Sequence, residues 1–190
     1  MRIRSIALAA ALLALLVPEA LARVKVTINF DKAFDFKSVK TWGWGPDGPG
    51  SIMMARTAED DLDAMKKAAE PPIVDAVTVE MTRRGLVQAP SGPDVIVTYY
   101  LLLTTSMSAQ TVGQFADATN AWALPLFPQA TQSLKILNRG SLVLDLSAKG
   151  AVVWRGVAQA ELKMDTPVKK REELIREGVR DLLRRYPPKQ

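Results

Sequence analysis

The stretch GSLVLDLSAKGAVVWRGVAQAE, residues 140–161, reads as a β-hairpin. Leu142, Leu144 and Leu146 alternate with Val143 and Asp145, the period of two that a strand imposes on its faces. Lys149-Gly150 supplies a two-residue turn, and Val152 to Glu161 is the returning strand. Trp154 shares a face with Val152, Ala158 and Ala160, small neighbours that leave room for a core ring. Arg155 points the other way beside Val153, into solvent if that face is open. Asp145, mid-strand, is expected to face solvent or to pair with a basic residue across the hairpin.

Upstream of the hairpin, Asp94 to Leu103 is apolar on both alternating sets: Val95, Val97, Tyr99 and Leu101 on one, Ile96, Thr98, Tyr100 and Leu102 on the other. A strand covered on both sides gives that pattern. Near the start, Val24, Val26, Ile28 and Phe30 alternate with polar residues and predict a strand with one buried face. Asp31 to Phe36 reads as a turn and Val39 to Trp44 as a short second strand, after which the glycines and prolines of 43–50 break regular structure. Residues 56–70 are charged and alanine-rich, either a weak surface helix packing Leu62 and Met65 or a mobile stretch. Pro71-Pro72 suits a first helical turn, Ile73, Val77 and Met81 follow at i, i+4, i+8, and Gly85 fits a C-cap, so a helix is predicted over Pro72 to Arg84. Ile175, Val179, Leu182 and Tyr186 share one face of a second helix, from about Val168 to Tyr186, stopped by Pro187-Pro188. The order β-β-α-β-β-β-α predicts an α+β two-layer sandwich: a mainly antiparallel sheet of about five strands with two helices on one face.

Arg2 and Arg4, the apolar run Ile6 to Val17 and Ala20-Leu21-Ala22 follow the order of a cleaved signal peptide, predicted as residues 1–22. The run is too short and alanine-rich for a good membrane span, and no transmembrane segment is expected in the mature chain. The remaining 168 residues, 23–190, are expected to form a single domain, exported to the periplasm or the outer face of the envelope. The chain has no cysteine and no histidine. Disulfides, a lipid-bearing N-terminal cysteine, a Ser-His-Asp triad, a Cys-His pair and a His-bearing zinc site are therefore excluded. A hydrolytic enzyme would have to work with paired carboxylates, a lysine or a hydroxyl, and no metal or cofactor is expected.

Three features are candidate interaction sites. Ser106 to Arg139 is far longer than the link between two neighbouring strands requires, and long loops of this kind are commonly functional or disordered. At its centre Trp122, Leu124, Leu126 and Phe127 form an apolar run stiffened by Pro125 and Pro128. Trp42 and Trp44 are either core packing or an aromatic shelf for a sugar or peptide. From Lys169 onward eight basic residues stand against four acidic ones, a balance of +4. Arg180 and Arg184 are the candidate contacts of that helix with an anionic membrane surface or an envelope protein; the plainer reading is a solvated face with pairs such as Glu172–Arg176. Nucleic acid is not an expected partner. Asp31, Asp35, Asp94 and Asp145 are the carboxylates most tied to motifs, and no two of them are spaced to force proximity.

Asp35-Phe36 and Lys40-Thr41-Trp42-Gly43-Trp44, then Arg84-Gly85-Leu86, Pro93-Asp94-Val95, the hairpin phrases Gly140–Leu146 and Val153-Trp154-Arg155-Gly156, and the closing Arg184-Arg185-Tyr186-Pro187-Pro188 together resemble the domain of unknown function 4136 family of bacterial envelope proteins. The resemblance spans nearly the whole mature chain. It implies an exported protein, in most members a lipoprotein, with no assigned activity. This chain departs by lacking the lipid-bearing cysteine, and its middle loop is rich in Ala, Thr and Gln where relatives carry Gly and aromatic residues. The expected function is a non-enzymatic binding or interaction module; the alternative is a hydrolase-type enzyme using paired carboxylates without metal or cofactor.

Overall fold

The computed structural model describes residues 24–55, 61–104, 110–112, 134–136, 140–160 and 166–189. In chain order its elements are β1 (Lys25–Phe30), β2 (Thr41–Trp44), β3 (Gly50–Ala55), α1 (Leu62–Arg83), β4 (Val87–Gln88), β5 (Val95–Thr104), β6 (Gln110–Val112), β7 (Leu134–Ile136), β8 (Gly140–Ala148), β9 (Ala151–Ala160) and α2 (Val168–Leu183). The fold is α+β, with an open, seven-stranded mixed sheet in the order β1-β9-β8-β5-β2-β4, and β3 also paired to β5. The pairings β1–β9, β9–β8 and β8–β5 are antiparallel. The additions to the expected five strands are β3 and β4, and they arrive in parallel: β2 and β3 run end to end along one flank of β5, and β4 lies outside β2.

The hairpin turns as expected on Lys149 and Gly150, both in the left-handed region at φ 51° and 79°, the geometry of a type I′ turn. On the face toward the helices stand Val95, Val97 and Tyr99 of β5, Leu144 and Leu146 of β8, and Trp154 of β9, in one core with Ile73, Val77 and Met81 of α1 and Val179, Leu182 and Leu183 of α2. Gly156 lies under that packing, where a Cβ would collide with the Trp154 ring and the Leu182 side chain. The opposite face is buried at its centre, although neither helix lies on it. Leu102, Val143 and Val157 are buried there outside the main core, with Ser141, Asp145 and Arg155.

Several boundaries differ from the sequence reading. The first helix begins at Leu62 rather than Pro72, because the Asp61 side chain caps it, accepting from Ala64 N–H at 3.0 Å. Pro71 and Pro72 therefore sit inside the helix. The second helix ends at Leu183, three residues short of Tyr186. Glycine at 50 opens β3 instead of breaking it, because a Cβ there would strike the Tyr99 backbone of the neighbouring strand. Within 106–139, β6 and β7 pair with each other as a separate two-stranded antiparallel sheet. The predicted signal peptide, residues 1–22, lies outside the described residues.

Candidate functional site

Thr41 opens β2 and Asp94 immediately precedes β5. Asp94 Oδ2 accepts from Lys40 N at 2.9 Å, Thr41 N at 2.8 Å and Thr41 Oγ1 at 2.9 Å, while Asp94 N donates to Thr41 Oγ1 at 2.9 Å. This reciprocal clasp fixes the start of one parallel strand against the start of the other. The backbone N–H bonds of Lys40 and Thr41 hold the Asp94 carboxyl below its ordinary range. Asp31 and Asp35 make local turns, accepting from Ala33 N and Lys37 N at 2.9 and 3.0 Å.

Asp145 and Arg155 face each other across the hairpin in direct register. Arg155 Nε reaches Asp145 Oδ1 at 2.6 Å and Nη2 reaches Oδ2 at 2.5 Å, a bidentate ion pair with both side chains 1 % exposed. Burial pushes the Asp145 carboxyl up, and the Arg155 guanidinium works against that. Of the two sequence expectations for Asp145, the cross-hairpin pair is the one formed. The solvated Arg155 is corrected: its side chain is buried at the centre of that face. Asp145 lies opposite Thr98, four positions along β5 from Asp94, so these two carboxylates belong to separate structural devices.

The tryptophans meet edge to face, with ring centroids 5.2 Å apart at 84°. Trp42 is fully buried and presents no ring face to a ligand, so the aromatic-shelf reading fails for it; Trp44 is half-buried against the core. They lie toward one margin of the sheet, whereas Arg180 and Arg184 ride on α2, above β9 and β1 at the other. Arg184 pairs with Asp181 at 3.2 Å, and Arg180 is exposed without an ion-pair partner among the described residues. The expected Glu172–Arg176 pair is replaced by Arg176–Asp75 at 3.0 Å, which bridges the two helices. Trp122, Leu124, Leu126 and Phe127 lie outside the described residues.

The sequence reading missed a further polar cluster. Arg84 Nε donates to the Leu183 and Tyr186 carbonyls at 2.6 and 3.1 Å, and Nη1 donates to Glu80 O and Oε2 at 2.6 and 2.7 Å. Glu80 is buried although it carries a carboxylate. Its signal was its position, three residues after Val77 on the apolar stripe and four before an arginine. Tyr99 is the second missed group: its hydroxyl donates to Glu70 Oε2 at 2.6 Å from a fully buried ring, and burial raises its titration. Among the described residues no cluster of three or more His, Cys, Asp or Glu side chains could hold a metal ion, and no helix is long and apolar enough to cross a membrane.

An α+β sheet protein whose described polar pairs join strand to strand, strand to helix and helix to helix is the class this geometry defines. The chain belongs to the DUF4136 family, a domain of unknown function, whose pattern it matches over residues 26–188. No curated protein sequence matches it. Among solved structures it is similar to a DUF4136 family protein from Bacteroides thetaiotaomicron, at 16% identity and a TM-score of 0.53, covering 86% of this chain and 96% of that one. It is also similar to a PDZ domain protein from Parabacteroides distasonis, at 14% identity and a TM-score of 0.46. That match covers 90% of this chain and 38% of the other, so the chain spans well under half of that relative. A PelC dodecamer from Paraburkholderia phytofirmans is similar at 11% identity and a TM-score of 0.41, covering 88% of this chain and all of that one.

Proposed function

We propose that residues 23–190 form a single-domain, non-enzymatic binding or interaction module of the bacterial cell envelope, exported by cleavage of residues 1–22. One observation carries this reading: the carboxylates of the family-like motifs have partners inside the fold. Asp94 is spent on the β2–β5 clasp, Asp145 on Arg155, and Asp31 and Asp35 on turns. None of them is left as the second member of a general acid–base couple. Recognition then falls to surface features. The Trp122–Phe127 run is the specific contact, through apolar burial. The basic side of α2, with Arg180 and Arg184, is a less specific aid at an anionic headgroup surface or an acidic partner.

Crosslinking in intact bacteria should capture an envelope component, and a Trp122→Ala/Phe127→Ala pair should lose most of that capture. An Arg180→Glu/Arg184→Glu pair should lower association with anionic phosphatidylglycerol vesicles at low salt and change little at high salt, because charges are screened beyond ~8–10 Å at physiological ionic strength. Full capture by the double apolar variant would sink the assignment of the specific contact. Hydrolysis of an envelope polymer, abolished by replacing a carboxylate, would sink the non-enzymatic reading.

A further inference from the structure

β1 forms one margin of the sheet, bonded to β9 on its inner side only. The odd-numbered residues make those bonds: Lys25, Thr27 and Asn29 stand opposite Gln159, Val157 and Arg155, and Asp31 N–H continues the ladder to the Val153 carbonyl at 2.8 Å. The alternation of an antiparallel ladder then turns the N–H and C=O groups of Val26, Ile28 and Phe30 outward. Of these, the Val26 carbonyl accepts from Arg185 Nη1 at 3.2 Å, and the others have no partner among the described residues. The side chains of the same three residues are only partly covered by the core.

We propose that this open edge pairs with the same edge of a second copy of the chain, antiparallel, with the two-fold axis at Ile28. That register sets Val26 opposite Phe30 and Ile28 opposite itself, so outward groups meet outward groups and about six hydrogen bonds form, once Arg185 releases the Val26 carbonyl. It also sets Lys25 opposite Asp31, twice by symmetry. Lys25 is exposed with no ion-pair partner among the described residues, and Asp31 uses only Oδ1, on Ala33 N. Val26, Ile28 and Phe30 line up with their counterparts on the helix side and lose their remaining exposure. A register displaced by two residues toward the N-terminus sets Lys25 against Asn29, and one displaced the other way sets Thr27 against Asp31. The charge complement therefore selects the register centred on Ile28. A lysine on an edge strand ordinarily discourages pairing; here the facing aspartate turns it into a selector of one partner, this chain itself.

Sedimentation equilibrium of the protein recovered after export, over a range of concentrations, tests the pairing. The wild type should show a monomer–dimer equilibrium. Lys25→Asp and Asp31→Lys should each raise its dissociation constant about tenfold, by placing like charges opposite one another at two symmetric positions. The combined Lys25→Asp/Asp31→Lys protein should recover wild-type association, which also controls for loss of the Asp31 turn. Ile28→Pro should abolish association while leaving the far-ultraviolet circular dichroism unchanged, since the N–H it removes makes no bond within one copy. A monomer at every concentration overturns the proposal, as does a dimer indifferent to Lys25→Asp or one that survives Ile28→Pro. An edge that remains monomeric but takes up an extended peptide would overturn it in favour of a heterologous strand.

Discussion

Two carboxylates, Asp94 and Asp145, lie close to the same strand and are governed by opposite physics. Asp94 is exposed and gathers donors, and the N–H bonds of Lys40 and Thr41 hold its pKa below the ordinary 3.8. A carboxyl depressed in the folded state adds stability above its ordinary pKa and surrenders it as pH falls through the lower folded value. Asp94→Asn keeps the shape and removes the charge. It should lower the melting temperature at pH 7 and flatten the decline of stability below about pH 4, measured by thermal melts from pH 2 to 7. Asp145 is instead buried with its counter-ion. Removing one member of such a pair strands the other, so Arg155→Met should cost about 3–5 kcal/mol in urea unfolding. Asp145→Leu/Arg155→Met should recover most of that loss, because two apolar side chains suit a face already occupied by Val143 and Val157. A double variant as unstable as the single one would mean that the charged pair itself is required on that face. Tyr186, at the far end of the chain, shows the same burial effect: loss of solvent, with the negative charge of Asp94 behind it, pushes its hydroxyl up to about 12.

At the scale of elements, the hairpin does most to organise the core, and Trp154 is its central ring. It is fully buried and meets Tyr186 edge to face at 6.0 Å, while Gly156 keeps the space between its ring and Leu182 free of a side chain. Trp154→Ala should destabilise the protein by about 3–5 kcal/mol, since the surrounding strands and α2 cannot collapse into so large a void. An unchanged melting temperature would contradict the burial. The hairpin was legible in the sequence because alternation and a two-residue turn are local signals. The burial of Arg155 was not, because the hairpin's own alternation does not say whether the second face of a sheet meets solvent. The start of α1 was misplaced for a different reason: Pro71-Pro72 imitates a first turn, while the true cap is a lone Asp61 before a run of weakly amphipathic, helix-favouring residues. Arg84 was quoted only as a motif letter. Its role, tying the end of α1 to the Leu183 and Tyr186 carbonyls, depends on partners about a hundred positions away.

For the whole molecule, parallel pairing was the least legible feature. Strands β2 and β3 join β5 through registers that no short window of sequence expresses, whereas the antiparallel neighbours β8 and β9 announce themselves through a turn. Of the candidate interaction residues, Trp42 was removed by a burial that only the assembled sheet reveals, Arg180 and Arg184 lie on α2, and Trp122 to Phe127 lie outside the described residues. The N-terminus joins this architecture to the proposed export. Val24 is partly buried against the core near Gly178 of α2, and β1 begins at the next residue. A peptidase cutting after Ala22 would thus remove the whole signal and leave a single residue, Arg23, before the first packed side chain. N-terminal sequencing of protein from the periplasm should therefore read Arg23 first. Cytosolic expression of residues 23–190 should give the same melting temperature as the exported form. Removing four further residues, through Val26, should lower it by several degrees, because Val24 and Val26 both pack on the core and β1 loses part of its ladder to β9. Intact Met1 on the periplasmic protein would refute the cleavage, and an unchanged melting temperature in the shorter form would refute the packing role of the first strand.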